Sequence, residues 1–101
     1  MYLGNFIKKL SRKYQKTYFS GLAFNSKKVK KDNIFFAIEG KQFDGNKYIF
    51  DAIRNGAKII ISKKNIKLNN ENIIFLKDKN PRKLLAEISF KLIKKKPKNL
   101  I

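Results

Sequence analysis

The sequence contains no cysteine, histidine or tryptophan. Without cysteine, a disulfide framework and a thiolate metal site are both excluded, and without histidine the commonest metal ligand and general base is missing. No uninterrupted apolar run approaches the roughly 20 residues that span a bilayer. Lys8 and Lys9 follow the first apolar residues rather than precede them, which is the wrong order for a signal peptide. These absences predict a cytoplasmic protein without a membrane partner, a metal site or catalytic residues of its own.

Acidic residues are also scarce, since seven carboxylates oppose 25 basic residues and leave a net charge of +18. By itself such a charge indicates a polyanionic partner such as nucleic acid. However, the only arginines are Arg12, Arg54 and Arg82, whereas phosphate and nucleic-acid recognition favours the planar guanidinium group. We therefore interpret the lysines as a solvated surface and expect no nucleic-acid partner. A small basic nucleic-acid-binding module remains the alternative from another class.

The chain of 101 residues is long enough for one domain with one modest core. Leu3, Phe6, Ile7 and Leu10 recur at helical spacing, which predicts a short helix within residues 2–13 that docks on the domain or on another part of the protein. Further along, short apolar runs predict strands at residues 22–24, 34–38, 57–62 and 72–76. The runs at 34–38 and 57–62 are almost continuously apolar, as in strands covered on both faces.

Two more helices are predicted between and after these strands. One covers residues 47–55 and ends at a C-terminal Gly56, and the other begins after Asn80, a plausible N-cap, with Pro81 in its first turn. The residues that face inward on the second helix are predicted to be Leu84, Leu85, Ile88, Leu92 and Phe90. The fold class is therefore α/β, a small three-layer-like domain in which helices flank a parallel or mixed sheet.

Three loop segments carry a resemblance to a known family. Residues 24–29 are similar to the element D-S-R-x-V, and residues 31–40 resemble its continuation P-G-D-L-F-V-A-L-x-G. Residues 42–49, with Ala52-Ile53 and Gly56-Ala57, resemble x-x-D-G-H-x-[FY]-I…A-I…G-A. Together these elements are typical of the N-terminal domain of Mur ligases, which binds UDP-N-acetylmuramic acid (UDP-MurNAc). The joint spacing is far more specific than any single fragment.

The resemblance extends from about Gly21 to Ile101 and implies a domain over residues 1–98, with residues 99–101 starting a central ATP-binding domain. It is closest to the ligase that adds diaminopimelate or L-lysine to UDP-MurNAc-L-Ala-D-Glu in peptidoglycan synthesis. The implied partners are that substrate and the downstream ATP-binding and C-terminal domains. ATP and magnesium would serve the full-length enzyme, whereas this fragment is expected to hold no cofactor and to be inactive. The ligase that adds D-Ala-D-Ala is the neighbouring alternative.

The resemblance also implies the substrate-binding residues, which align with the family's UDP-muramoyl contacts: Phe24, Ser26, Lys41, Gln42 and Phe43. Chemically, the Gln42 amide matches the donor and acceptor edge of uracil, and Phe43 could cover a ring face. Ser26 and Lys41 could meet the diphosphate or the sugar. Simpler alternatives remain open, because Ser26 could only close a turn, Phe24 could belong to the core and Lys41 could be a solvated surface residue.

Other positions depart from the family pattern or have a structural interpretation. Asn25 and Lys27 stand where the family usually has Asp and Arg, which makes a bidentate role for Lys27 doubtful. Asn46 stands where the family often has His. Asp44 and Gly45 are predicted to form a tight turn at a helix start, with Gly45 supplying a positive φ.

Overall fold

The computed structural model describes residues 1–7, 10–40, 44–66 and 70–95. Its centre is one four-stranded sheet in the order β1-β2-β3-β4, and every neighbouring pair is parallel. The strands are β1 (Gly21–Ala23), β2 (Asn33–Ala37), β3 (Ile59–Ser62) and β4 (Ile74–Lys77). Of the two predicted possibilities, parallel or mixed, the sheet is parallel, and each strand lies within two residues of its predicted position.

Helices cover both faces of this sheet, so the predicted three-layer arrangement is confirmed. The α-helices are α1 (Ile49–Arg54) and α2 (Pro81–Lys95), and short 3-10 helices occur at Leu3–Asn5, Arg12–Tyr14, Ser26–Lys28 and Gly45–Tyr48. Ile88 of α2 is fully buried against one face, while Ile49 and Ala52 of α1 are buried against the other. Among the described residues, no helix is long and apolar enough to cross a membrane.

The two central strands supply the core because their side chains are buried on both faces. All residues of β2 and β3 are buried. In register across the sheet, Ile34 pairs with Ile59 on the α2 side, and Phe35 pairs with Ile60 on the α1 side. Continuous apolar strands of this kind are expected where helices cover both faces of a parallel sheet.

The N-terminal segment packs against the α2 side of the sheet, but it is not the predicted helix. Among its described residues only Leu3–Asn5 and Arg12–Tyr14 are helical, both as short 3-10 helices. The reason is backbone pairing, since Leu3 N–H donates to Thr17 at 2.8 Å and Gly4 N–H to Gln15 at 2.9 Å. Three of the predicted apolar side chains, Leu3, Phe6 and Leu10, are nevertheless buried in the core. Of the two predicted possibilities, the segment therefore docks on the domain itself.

The ends of the two α-helices follow the predicted signals. The Asn80 side-chain oxygen accepts from Lys83 N–H at 3.2 Å and so caps α2 before Pro81. After α1, Gly56 adopts a φ of +119°, a conformation that disfavours residues with a Cβ. The assignment of Phe90 to the inward stripe of α2 is wrong, because its side chain is 58% exposed and Lys94 lies over its ring.

Candidate functional site

A cleft of about 670 Å³ opens beyond the carboxyl end of the sheet, between the loop after β1 and the first turns of α2. This edge is where ligands bind in parallel α/β sheets, and the volume suits a small organic ligand. The cleft is lined by residues from four separate parts of the chain: Phe24, Asn25, Ser26, Lys27, Ile38, Tyr48, Arg82 and Leu85.

The loop after β1 holds its shape through its own hydrogen bonds. The Asn25 side-chain oxygen accepts from Lys27 N–H at 3.0 Å and caps the 3-10 helix Ser26–Lys28. From α1's end, Asn55 donates its side-chain amide to the Ser26 carbonyl at 2.8 Å. Ser26 itself is 6% exposed, and its hydroxyl forms no hydrogen bond within the described part of the chain. The loop therefore presents a rigidly held serine at the cleft wall.

Two aromatic side chains face this space. Phe24 is 57% exposed, so the alternative that it belongs to the core is wrong; β1 ends at Ala23 and Phe24 lies beyond it. Tyr48 is 39% exposed and ends the 3-10 helix that precedes α1. Exposed aromatic rings beside a concave surface are suited to stacking against a planar ring.

Basic side chains line the cleft on both of its walls, Lys27 in the loop after β1 and Arg82 in α2. A second, smaller cleft of about 270 Å³ adjoins the first, with Ile38 and Arg82 common to both. Its remaining lining residues are mainly polar or charged and include no aromatic ring: Ala37, Glu39, Lys63, Lys79, Asn80 and Pro81.

A polar network joins the carboxyl ends of β2 and β3 beneath this region. The Asn46 side-chain amide donates to Glu39 at 3.0 Å and to Asp44 at 2.8 Å, while its oxygen accepts from the Ser62 hydroxyl. Lys64 lies 3.7 Å from Asp44 and 3.9 Å from Glu39. Asn46 thus connects three side chains by hydrogen bonds, although it has no titratable group.

Hydrogen bonds from the Asn46 backbone and side chain lower the pKa of Asp44, and the positive charges of Lys64 and Lys47 act in the same direction. Burial opposes this shift but is a smaller effect here. The carboxylate is therefore held in its charged form as part of the loop architecture. Within the described ranges, no group of three or more carboxylate, histidine or cysteine side chains is arranged to hold a metal ion.

Gly45 is structural, as predicted, but for a different reason. Its φ is not positive; instead a Cβ on Gly45 would lie 2.7 Å from Ile38 N and 3.0 Å from the Ile38 carbonyl oxygen. Gly45 N–H also donates to that carbonyl at 2.8 Å. The glycine is needed because two backbone segments approach closely.

The structure brings two of the five predicted site residues together, Phe24 and Ser26. Lys41, Gln42 and Phe43 lie outside the described residues, so their placement stays a prediction; on either side of them, Glu39 and Asp44 form an isolated antiparallel bridge. Sequence reasoning did not assign Arg82 or Tyr48 to the site. A signal for Arg82 was present, since it is one of very few arginines in a chain dominated by lysine.

A parallel sheet with a cleft of aromatic, hydroxyl and basic groups at its carboxyl edge defines an α/β domain with a candidate ligand site. The family described as "Mur ligase family, catalytic domain" matches residues 18–91. The chain belongs to the Mur ligase family.

Curated relatives are similar over most of this chain. The chain is 43% identical over 81 residues to a UDP-N-acetylmuramoyl-L-alanyl-D-glutamate–2,6-diaminopimelate ligase of Rickettsia prowazekii, which covers 80% of the chain and 16% of the relative. It is 45% identical over 67 residues to the ligase of the same name from Clostridium tetani, covering 64% of the chain and 14% of the relative. The chain thus spans about a sixth of the length of these relatives.

Solved structures have the same fold. The chain superposes on a MurF ligase from Thermotoga maritima, solved in complex with ADP, with a TM-score of 0.60 and 30% identity over 72% of the chain and 16% of that protein. A MurF structure from Acinetobacter baumannii gives a TM-score of 0.62 at 18% identity, covering 80% of the chain and 16% of that protein, which supports the fold alone.

Proposed function

We propose that this chain binds the UDP-MurNAc part of UDP-MurNAc-L-Ala-D-Glu, as one domain of an ATP-dependent ligase of peptidoglycan precursor synthesis. The observation that carries this proposal is the cleft at the carboxyl edge of the sheet, which combines exposed aromatic rings with a held serine and two cations. The names of the relatives that are more than 40% identical support the choice of substrate.

The chemistry of the cleft fits a nucleotide sugar. The uracil ring would stack on Phe24 or Tyr48, because apolar ring faces lose water favourably on contact. The diphosphate would meet the Ser26 hydroxyl and the charges of Lys27 and Arg82. By family alignment, Lys41, Gln42 and Phe43 complete the contacts, with Gln42 reading the uracil edge.

In the whole ligase, ATP with magnesium would activate the terminal carboxylate of the substrate as an acyl phosphate, which an amino acid's amine then attacks. In this proposal the domain holds and orients the substrate, while the ATP-binding and C-terminal domains of the same enzyme act on it. We expect the isolated chain to bind and not to ligate.

Calorimetry with UDP-MurNAc-L-Ala-D-Glu tests the proposal, with a pair of matched phenylalanine variants. Phe24 and Phe90 are almost equally exposed, at 57% and 58%, but only Phe24 lines the cleft. Loss of a stacked ring costs about 1–3 kcal/mol, so Phe24→Ala should weaken binding roughly tenfold while Phe90→Ala leaves it unchanged. No binding by the wild type would refute the proposal, and equal effects of both variants would refute the contact with Phe24.

The ligase that adds the terminal dipeptide is a second candidate because a solved structure at 30% identity is a MurF ligase. The sequence identity to the diaminopimelate ligases is higher, which favours UDP-MurNAc-L-Ala-D-Glu as the substrate. Titration with the corresponding UDP-MurNAc-tripeptide compares the two. Clearly tighter binding of the tripeptide would favour this second candidate.

A further inference from the structure

We infer that Lys64 is a positioning residue of the candidate site, because its ammonium group holds two carboxylates together and thereby fixes the part of the cleft wall that carries Tyr48. The two carboxylates are those of Glu39 and Asp44. Lys64 lines neither cleft, so it acts through the wall and not by contact with the ligand. The inference rests on the proposed function and adds to it a residue outside the ligand contacts.

Glu39 and Asp44 are brought close together by one amide group. The Asn46 side-chain nitrogen donates to a Glu39 oxygen at 3.0 Å and to an Asp44 oxygen at 2.8 Å, and the two acidic residues also form an antiparallel bridge. Two carboxylates this close repel each other when both are charged. The amide of Asn46 is neutral and cannot balance them, so the arrangement needs a nearby cation.

Lys64 supplies that cation from a fixed point at the end of β3. Its ammonium nitrogen lies 3.7 Å from Asp44 and 3.9 Å from Glu39, and within the described ranges no other lysine or arginine forms an ion pair with either carboxylate. The Lys64 backbone is held as well, because its N–H donates at 3.0 Å to the hydroxyl of Ser62. Ser62 is 1% exposed and in turn donates to Asn46.

The cleft wall is built directly on these residues. Asp44 caps the 3-10 helix that ends at Tyr48 by accepting from the Asn46 N–H at 2.9 Å. The first residue of that helix, Gly45, donates its N–H to the Ile38 carbonyl at 2.8 Å. Ile38 and Tyr48 both line the larger cleft. Separation of the two carboxylates would therefore move Ile38 relative to Tyr48 and change the shape of the cleft.

The test is an NMR titration of uridine and of UDP into the wild type and Lys64→Met. A displaced wall predicts that Lys64→Met weakens the binding of both compounds by the same factor, about 3- to 10-fold, as for the weaker couplings between neighbouring side chains. Uridine decides between contact and positioning, because it carries no charge that Lys64 could attract. In the ligand-free variant, the amide resonances of Ile38 and Tyr48 should shift.

A second substitution separates charge balance from a loss of packing. Glu39→Gln in the Lys64→Met protein removes one of the two repelling charges and keeps an oxygen that can accept from Asn46. Uridine binding should return to within about threefold of Glu39→Gln alone, which is the baseline, and the Tyr48 amide resonance should return with it.

Lys30→Met is the matched control. Lys30 is an exposed lysine that precedes β2 at the opposite edge of the sheet, lines neither cleft and forms no ion pair within the described part of the chain. Its substitution should change the binding of both compounds by less than about threefold. Each substitution should lower Tm by less than about 8 °C, the range for one exposed ion pair, which checks that the fold is intact.

The outcomes that overturn the inference are distinct from those that overturn the proposed function. If the wild type binds both compounds but Lys64→Met leaves uridine binding intact, or if Glu39→Gln fails to restore it, the role of Lys64 is wrong and the proposed function stands. If the wild type binds neither compound, the proposed function fails and the inference fails with it.

Discussion

At the scale of single residues, two side chains that depart from the family pattern, Asn25 and Asn46, form local hydrogen bonds. Asn25 lacks the usual carboxylate, yet its amide oxygen caps the turn after β1. Asn46 lacks a titratable ring, yet it bonds to Glu39, Asp44 and Ser62. The sequence could predict that these side chains form hydrogen bonds, but their partners follow only from the way the loops meet.

The Asp44 carboxylate should make stability depend on pH in the acid range. Its pKa is lowered in the folded state from an ordinary value of 3.8, so its contribution is fully present above that value and is lost as the pH falls through the lower folded pKa. Asp44→Asn should therefore be less stable than the wild type at neutral pH, by up to about 1 kcal/mol, because the hydrogen bonds from Asn46 lose their charged acceptor and the pair with Lys64 is lost. Urea unfolding at pH 7 and at pH 2.5 to 3 measures the gap, which should shrink in acid; a gap that grows in acid contradicts the assignment.

Substitution of Gly45 tests the close approach of two backbone segments. A Cβ there meets the Ile38 backbone at 2.7 Å, whereas a Cβ on Gly21 meets only the Asn33 side-chain nitrogen at 3.3 Å. Gly45→Ala should cost about 1–3 kcal/mol, as overpacking does, and Gly21→Ala should cost less. Chemical denaturation compares the two variants, and a Gly45→Ala protein as stable as the wild type is the contrary result.

At the scale of elements, local signals predicted the strands and the start of α2 well. The run at Ile59 to Ile61 is apolar and β-branched, and Asn80-Pro81 is a strong helix start. The prediction of an N-terminal helix was wrong because the helical spacing of apolar residues cannot reveal that the Gly4 N–H donates to the Gln15 carbonyl. The prediction that Phe90 faces inward was wrong because the buried face of a helix depends on packing partners that are distant in sequence.

The N-terminal segment should be an integral part of the core rather than an appendage. Phe6 is 3% exposed, packs edge-on against Phe19 at 5.5 Å between ring centroids, and accepts a hydrogen bond from Lys91 at its carbonyl. Phe6→Ala should lower the free energy of unfolding by about 3–5 kcal/mol.

The exposed Tyr2 provides the control for that measurement, since its ring contacts mainly Tyr18 at 6.4 Å. Tyr2→Ala should cost less than about 1.5 kcal/mol, the range of an aromatic pair. Equal and small losses for both variants in urea unfolding contradict an integral N-terminal segment.

At the scale of the whole molecule, the net charge does not identify the candidate site. Net charge is the strongest feature of the composition, yet the candidate site uses few of the cations and places aromatic rings beside them. The sequence could predict the family and the layered sheet from spaced motifs. It could not predict the cleft as a unit, because Phe24, Tyr48 and Arg82 come from separate parts of the chain and meet only in the fold.

The salt dependence of ligand affinity should distinguish binding to the charged surface from binding in the candidate site. Binding of an oligonucleotide to the lysines would release counterions and weaken steeply between about 50 and 200 mM salt. UDP-MurNAc-L-Ala-D-Glu carries fewer charges than an oligonucleotide and also contacts aromatic groups, so its affinity should fall by less than about tenfold over the same range. Calorimetry at both salt concentrations measures this. Oligonucleotide binding that is strong and salt-steep, without any sugar-nucleotide signal, supports the nucleic-acid alternative.

The most direct test of the central claim is an NMR titration of the isotopically labelled chain with UDP-MurNAc-L-Ala-D-Glu. Amide shifts should concentrate at the cleft, in Phe24, Ser26, Tyr48 and Arg82, and spare the separate surface depression beside Gln15. Shifts that cluster around Gln15, or that are absent from the cleft at saturating ligand, would contradict it.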